Sequence, residues 1–167
     1  KAIINYLEDE GFKVIGCESF MGNDSFCSEG LLTTTAPDSQ AVQDIARGLD
    51  VLRCLSAQDV GQSCMVQNGL VLGIEALEGT DNLIKRCQNL HESKEGGVLV
   101  KALKIGQDTR VDRAAIGVNT IKNLSNCGFK GLAVQADGVI LLNKQDVIAM
   151  ANQCGLFIVG VKLDTTT

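Results

Sequence analysis

Apolar positions along the chain alternate between helical and strand-like spacing. Residues 1–10 are spaced as a helix, Gly11 stops them, and residues 12–17 read as a short strand, together one αβ unit. Residues 18–37 contain Gly22, Asn23, Asp24, Gly30, three threonines and the only proline, Pro37. They lack sustained periodicity and read as a connection and a candidate domain boundary. From Asp38 or Ser39 as cap, Val42, Ile45, Leu49, Leu52 and Leu55 recur at gaps of three and four, with Asp44, Arg47 and Arg53 elsewhere on the wheel. That pattern predicts an amphipathic helix.

Two β-prone runs follow, 63–67 and 70–75, joined by Asn68-Gly69, a strong two-residue hairpin signal. Thr80 is placed to cap a helix that runs to about Leu90. The remainder reads as strand 97–103, a polar loop over 104–117, helix 119–127, strand 131–135, a tight turn at Asp137-Gly138, strand 139–142, helix 143–154 and strand 156–161. Gly128 and Gly155 stand where helix C-termini favour glycine. The alternation predicts an α/β sandwich, its sheet mixed because of the hairpins.

The chain has 167 residues, room for one domain or one domain with part of another. Its 45% hydrophobic and 21% charged residues fit a globular core and exclude a disordered or collagen-like chain. Apolar stretches such as 156–161 fall far short of the roughly 20 residues that cross a bilayer. A net charge of −5 and 4% aromatics with no Trp argue against nucleic-acid binding, since neither a positive field nor stacking platforms are available. The seven cysteines, at 17, 27, 54, 64, 87, 127 and 154, form no CxxC pair, so neither a zinc knuckle nor a redox motif is expected and a reducing compartment is the simple reading. Cys87 and Cys154 fall among apolar helical positions and read as small core hydrophobes. The chain opens at Lys1 on a helix already under way without a cap, which gives the expectation that an N-terminal part of the parent protein is missing.

No dinucleotide fingerprint, Walker loop or GxSxG elbow is present, and the single histidine, His91, lies among charged residues and reads as a solvated surface group. Two polar clusters remain. In Glu75-Ala76-Leu77-Glu78-Gly79-Thr80-Asp81 a strand ends and a helix begins, where amides and the helix dipole favour an anion, yet three carboxylates gather there. Helix-start chemistry accounts for Thr80 and Asp81 but not for Glu75. Acids at a strand end would instead suit a hard cation such as Mg²⁺. The second cluster runs from Lys101 and Lys104 through Gln107, Asp108, Arg110, Asp112 and Arg113. As a solvated loop it would be ordinary. As a site, Lys101, Lys104 and Arg110 would neutralise phosphate oxygens while Asp108 or Asp112 binds a metal or orients water, which is what phosphoryl hydrolysis without histidine requires.

At these residues the sequence resembles the bacterial UDP-2,3-diacylglucosamine pyrophosphatases of the LpxI type. The resemblance is carried by Asp59-Val60-Gly61-Gln62, the run from Val71 to Asp81, Gly96-Gly97-Val98-Leu99-Val100-Lys101 and Gly106-Gln107-Asp108-x-Arg110-x-Asp112. It continues through Gly117-x-x-Thr120-Ile121 and from Ala151 to Val161, so it covers most of the chain.

The resemblance implies a Mg²⁺-dependent hydrolase of lipid A synthesis that is cytoplasmic and peripheral to the inner membrane. It would split the diphosphate of UDP-2,3-diacylglucosamine into UMP and 2,3-diacylglucosamine 1-phosphate (lipid X), with attack at the glucosamine-side phosphorus. It also implies a Rossmann-like N-terminal domain, whose tail end and linker would be residues 1–34. Residues 35–163 would be the C-terminal catalytic α/β domain and 164–167 a tail. An acidic residue of the GQDxRxD loop, Asp108 or Asp112, would be catalytic, and Thr80, Lys101, Lys104, Gln107 and Arg110 would bind substrate. Glu75, Glu78, Asp81, Asp108 and Asp112 would be the metal ligands. A homodimer is admitted, and the preceding domain would be needed for the full site. Ile105 stands where the family pattern leads one to expect proline, which loosens the loop without removing a reactive group. The alternative from another class is a non-catalytic module that binds a nucleotide or phospholipid.

Overall fold

The computed structural model describes residues 2–90, 96–104, 106, 108–110 and 112–163. His91, Gln107 and the tail 164–167 lie outside the described residues. In chain order the elements are α1 (Ala2–Asp9), β1 (Gly30–Leu31), α2 (Ser39–Ser56), β2 (Ser63–Gln67), β3 (Leu70–Ile74), α3 (Thr80–Cys87), β4 (Val98–Lys101), β5 (Ala115–Ile116), α4 (Val118–Asn126), β6 (Gly131–Gln135), β7 (Ile140–Leu141), α5 (Lys144–Gln153) and β8 (Phe157–Val161). Six strands form one mixed sheet in the order β1-β8-β6-β4-β2-β3. The central β4, β6 and β8 run parallel, β2 runs antiparallel to both β3 and β4, and β1 runs antiparallel to β8.

The period-two alternation of each strand divides the core into two layers. Cys64, Val66, Val98, Val100, Ala133 and Phe157 point to one face and pack with Ala41, Ile45 and Leu52 of α2. Met65, Leu99, Leu132, Val134 and Ile158 point to the other and pack with Leu83, Ile121, Leu124, Val147 and Ala151 of α3, α4 and α5. The result is an α/β/α sandwich, the mixed α/β class that the alternation predicts. Gly48 lets α2 lie close on the sheet, because a Cβ there would stand 2.5 Å from Val100 Cγ2. Cys87 is fully buried, whereas Cys154 is partly exposed at the end of α5.

Asp38 caps α2 as expected, its carboxylate accepting from Ala41 N–H at 2.7 Å. Asp44, assigned above to the polar side of the wheel, is 2% exposed. Its carboxylate accepts from the N–H groups of Asn68 (3.0 Å) and Gly69 (2.7 Å). Those two residues both have positive φ, 53° and 78°, as a type I′ hairpin turn requires. Asp44 thus fastens the β2-β3 turn to α2.

Three expectations need correction. Residues 12–17 form no strand: Phe12 and Ile15 are 65% and 43% exposed, and no ladder partner exists among the described residues. The connection over residues 18–37 is partly built into the fold. Gly30 and Leu31 pair with Gly160 and Val159, and the fully buried Cys27 donates its N–H to Val139 O at 3.0 Å. The segment assigned to a first domain and its linker therefore contributes the edge strand β1. The turn at Asp137-Gly138, with Asp137 at φ 58°, does not close a hairpin: β7 leaves the main sheet and pairs in parallel with β5. A turn signal predicts reversal of the chain but not which strand receives it.

Candidate active site

Three polar residues of adjacent strands meet at one end of the sheet. Counting in twos from Leu99 puts Lys101 on the face that carries α3, and the same count puts Ser63 there with Met65. Register sets Ser63 directly opposite Lys101, and Glu75, just past β3, donates its N–H to Ser63 O at 2.8 Å. This end is the carboxyl end of the parallel strands, where β4 passes from a parallel to an antiparallel neighbour; open α/β sheets bind ligands at such switch points.

Lys101 is 4% exposed. Its Nζ donates to Thr80 Oγ1 at 2.7 Å and to Ser63 Oγ at 3.2 Å, and pairs with Glu75 Oε2 at 3.6 Å. Thr80 Oγ1 in turn donates to Glu75 Oε2 at 3.1 Å. Burial pulls the Lys101 ammonium below the ordinary lysine value, and Glu75, then Asp81 and Asp112, oppose the shift. Gly61 makes room for this arrangement: at φ 47° it lies so near β3 that a Cβ would overlap the carbonyl oxygen of Glu75.

Thr80 opens α3 without capping it. The cap residue is Gly79, with no side-chain cap, because the Thr80 hydroxyl is turned to Lys101 and Glu75. Gly117 likewise starts α4 without a side-chain cap. The two helix N-termini flank one open cleft lined by Thr80, Asp81, Gly117, Asn119, Thr120 and Leu142. Thr120 Oγ1 donates to Asp81 Oδ1 at 2.8 Å and ties the two helix starts together. First-turn amides have no intrahelical partner and carry the positive end of the helix dipole, so the cleft offers donors to an anion.

The loop after β4 is held by ion pairs. Arg110 binds Asp108 through two nitrogens, Nε to Oδ1 at 3.0 Å and Nη2 to Oδ2 at 2.8 Å, and reaches Glu8 of α1 at 2.7 Å. The guanidinium holds the Asp108 carboxyl down at about 2. Lys104 pairs with Asp59 at 2.6 Å. Asp112 is exposed, donates its N–H to Asp108 O at 3.3 Å, and contributes to the field at Lys101. Glu78 pairs with Arg86 at 2.7 Å, which lowers its pKa. The residues singled out in sequence therefore fall into two groups. Glu75, Thr80, Asp81 and Lys101 converge, while Asp108, Lys104, Arg110 and Glu78 are engaged in pairs and Asp112 stands exposed in the loop beside Asp108. Ser63, Thr120 and Gly117 escape a reading of the sequence as site residues. Ser63 has its signal as a polar residue at the inward-facing end of a buried strand, and Gly117 and Thr120 stand in the Gly117-x-x-Thr120-Ile121 run.

Among the described residues, no three His, Cys, Asp or Glu side chains form a group that could hold a metal ion by themselves. Mg²⁺ rarely uses such a cage; it takes one or two carboxylates together with waters and substrate phosphates. Asp81 lines the cleft and has no ion-pair partner among the described residues, and Asp112 adds negative field at Lys101. Asp81 fits the phosphate-sharing kind of site.

Fold and site together define an α/β/α sandwich with an open cleft between two helix N-termini at the carboxyl end of its parallel strands. The model of the LpxI C-terminal domain family matches residues 28–159. The UDP-2,3-diacylglucosamine pyrophosphatase LpxI of Caulobacter vibrioides is 37% identical over 167 aligned positions, covering 96% of this chain and 59% of the relative. The chain belongs to the LpxI family. It spans 59% of the length of that curated relative.

Proposed function

We propose that this chain carries the C-terminal catalytic domain of an enzyme that hydrolyses the diphosphate of UDP-2,3-diacylglucosamine to UMP and 2,3-diacylglucosamine 1-phosphate. The observation that supports this best is the buried Lys101 held behind Thr80 at the mouth of the two-helix cleft. A diphosphate needs positive charge and donors at the oxygens where negative charge builds up, and the ammonium and the first-turn amides supply both. Around them, Glu75 and Glu78 are balanced by Lys101 and Arg86, whereas Asp81 is not balanced by an ion pair among the described residues. A bare diphosphate would meet repulsion there, so the site favours a diphosphate chelated by Mg²⁺, with Asp81 and a carboxylate of the 108–112 loop as its ligands. When bound, the cation would neutralise the phosphate oxygens and polarise the phosphorus.

In this reading a water attacks the glucosamine-side phosphorus, the phosphoric anhydride bond breaks, and UMP leaves. A carboxylate of the 108–112 loop positions the water and accepts its proton. Asp112 shares the field of Lys101, while Asp108 with Arg110 fixes the loop. Lys104, Gln107 and Arg110 are the remaining phosphate-binding candidates. The working site is completed by the Rossmann-like domain whose tail end and linker residues 1–34 would be, acts at the cytoplasmic face of the inner membrane, and tolerates a homodimer. No helix among the described residues is long and apolar enough to cross a membrane.

The test is release of UMP from UDP-2,3-diacylglucosamine, with Mg²⁺ and with chelator, by this chain and by a chain carrying the whole length of its relatives. Metal-dependent release by the longer chain is the expected result. Binding of 2,3-diacylglucosamine 1-phosphate without any release would replace the proposal with a non-catalytic binding module.

A further inference from the structure

The sequence motifs leave Ser63 without a role, yet it is fully buried and bonded to Lys101, the one buried cation of the site among the described residues. Building on the functional reading above, we propose that Thr80 is the side chain that meets the substrate phosphate. Lys101 acts through Thr80 without touching the substrate, and Ser63 is a positioning residue that holds Lys101 in place.

Three observations carry this. First, an ammonium has three protons and no acceptor, and Lys101 Nζ already faces three oxygens: Thr80 Oγ1 (2.7 Å), Ser63 Oγ (3.2 Å) and Glu75 Oε2 (3.6 Å). A phosphate reaching Lys101 directly would have to displace one of them inside a buried pocket. Second, Thr80 lines the cleft and is partly exposed, whereas Lys101 is 4% exposed and is not part of the cleft wall. Third, the Thr80 hydroxyl can keep accepting from Lys101 while its own proton, now donated to Glu75, turns to an incoming phosphate oxygen. A hydroxyl that accepts from a cation is a stronger donor in turn, so the buried charge reaches the ligand through one bond.

Ser63 cannot touch a ligand itself, because it lies on β2 opposite Lys101 with no exposed surface. Its hydroxyl also stands 3.3 Å from Thr80 Oγ1, so it sets the position of both partners. An alanine would fill the same space but would remove one oxygen from the ammonium.

The experiment titrates the chain with magnesium pyrophosphate by calorimetry in the native protein and in Ser63→Ala, Ser63→Thr, Thr80→Val and Thr80→Ser. Thr80→Val is expected to lose about tenfold or more in affinity, the size of one hydrogen bond to a charged group, while Thr80→Ser stays within about threefold. Ser63→Ala is expected to weaken binding about threefold to tenfold, because the ammonium loses an acceptor, and Ser63→Thr, which keeps the hydroxyl, restores it. Native affinity in Thr80→Val or in Ser63→Ala, no rescue by Ser63→Thr, or no binding of the probe by the native chain each overturns the proposal. Should Ser63→Ala fail to fold, the threonine variants decide the matter. Absence of UMP release from the full-length enzyme would overturn the functional reading instead, independently of this titration.

Discussion

Arg110 grips both carboxylate oxygens of Asp108 while Glu8, 102 residues earlier in the chain, holds its remaining nitrogen at 2.7 Å. The guanidinium is the first cause of the depressed Asp108 pKa, which falls from 3.8 to about 2. A carboxyl group depressed on folding contributes stability above its unfolded pKa and loses that contribution as pH falls through the folded value. The clamp is therefore expected to hold throughout the neutral range and to open between about pH 4 and pH 2. Carboxyl NMR titration of Asp108 checks this. A midpoint near 2 that rises toward 3.8 in Arg110→Met is the expected outcome, and a native midpoint near 3.8 would show that the pair does not form in solution.

Lys101 also has its pKa lowered on folding, by burial instead of by a partner. Burial disfavours its ammonium, so between its lowered folded pKa and the ordinary 10.5 the unfolded chain binds more protons than the folded one. Stability is then expected to rise with pH across that window, by this group's contribution, and Lys101→Met removes the slope in urea unfolding followed at several pH values. Glu75→Ala leaves the ammonium buried without its counter-ion, 5% of the lysine side chain being exposed, and is expected to cost about 3–5 kcal/mol at neutral pH.

Asp44→Ala removes the acceptor of two backbone N–H groups at the Asn68-Gly69 turn. The expected loss is about 1–3 kcal/mol, read as a lower urea midpoint with the slope unchanged. An unchanged midpoint would mean that the turn holds itself without the helix.

Gly48→Ala sets helix propensity against packing. Alanine favours the helix by about 1 kcal/mol, but its Cβ would stand 2.5 Å from Val100 Cγ2 and 2.9 Å from Val100 Cβ, and overpacking costs about 1–3 kcal/mol. Packing is expected to win, giving a lower melting temperature. Val100→Ala in the same chain should recover part of the loss, because the two sites are in contact and do not add.

Much of the fold is legible along the chain because its signals are local. The gaps of three and four from Val42 to Leu55 became α2, and Asn68-Gly69 became a type I′ turn with both residues at positive φ. Where the outcome depends on a partner far along the chain, legibility ends. Residues 12–17 have strand-like composition without a neighbour to bond, and the edge strand β1 exists only because β8 runs beside it. The turn at Asp137-Gly138 is real, yet β7 finds β5 and not β6. The acids of the Glu75 to Asp81 segment and the cations at 101, 104 and 110 stand out by type, but type alone treats them as equals. Lys101 became the buried centre, and Arg110 and Lys104 went to partners of their own, at Asp108 and Glu8 and at Asp59.

By itself, then, the sequence determined the succession of helices and strands, the residues able to face a core, and the stock of oxygen and nitrogen groups available for phosphate chemistry. These follow from backbone preference and side-chain periodicity, which act over a few residues. Only the tertiary structure decided that Ser63, Glu75, Lys101 and Thr80 share one end of one face, that Thr80 serves Lys101 and not the helix it begins, and that Asp44 is buried on a hairpin. Those assignments come from strand register and helix docking. Such contacts join residues tens of positions apart and depend on the whole sheet being assembled.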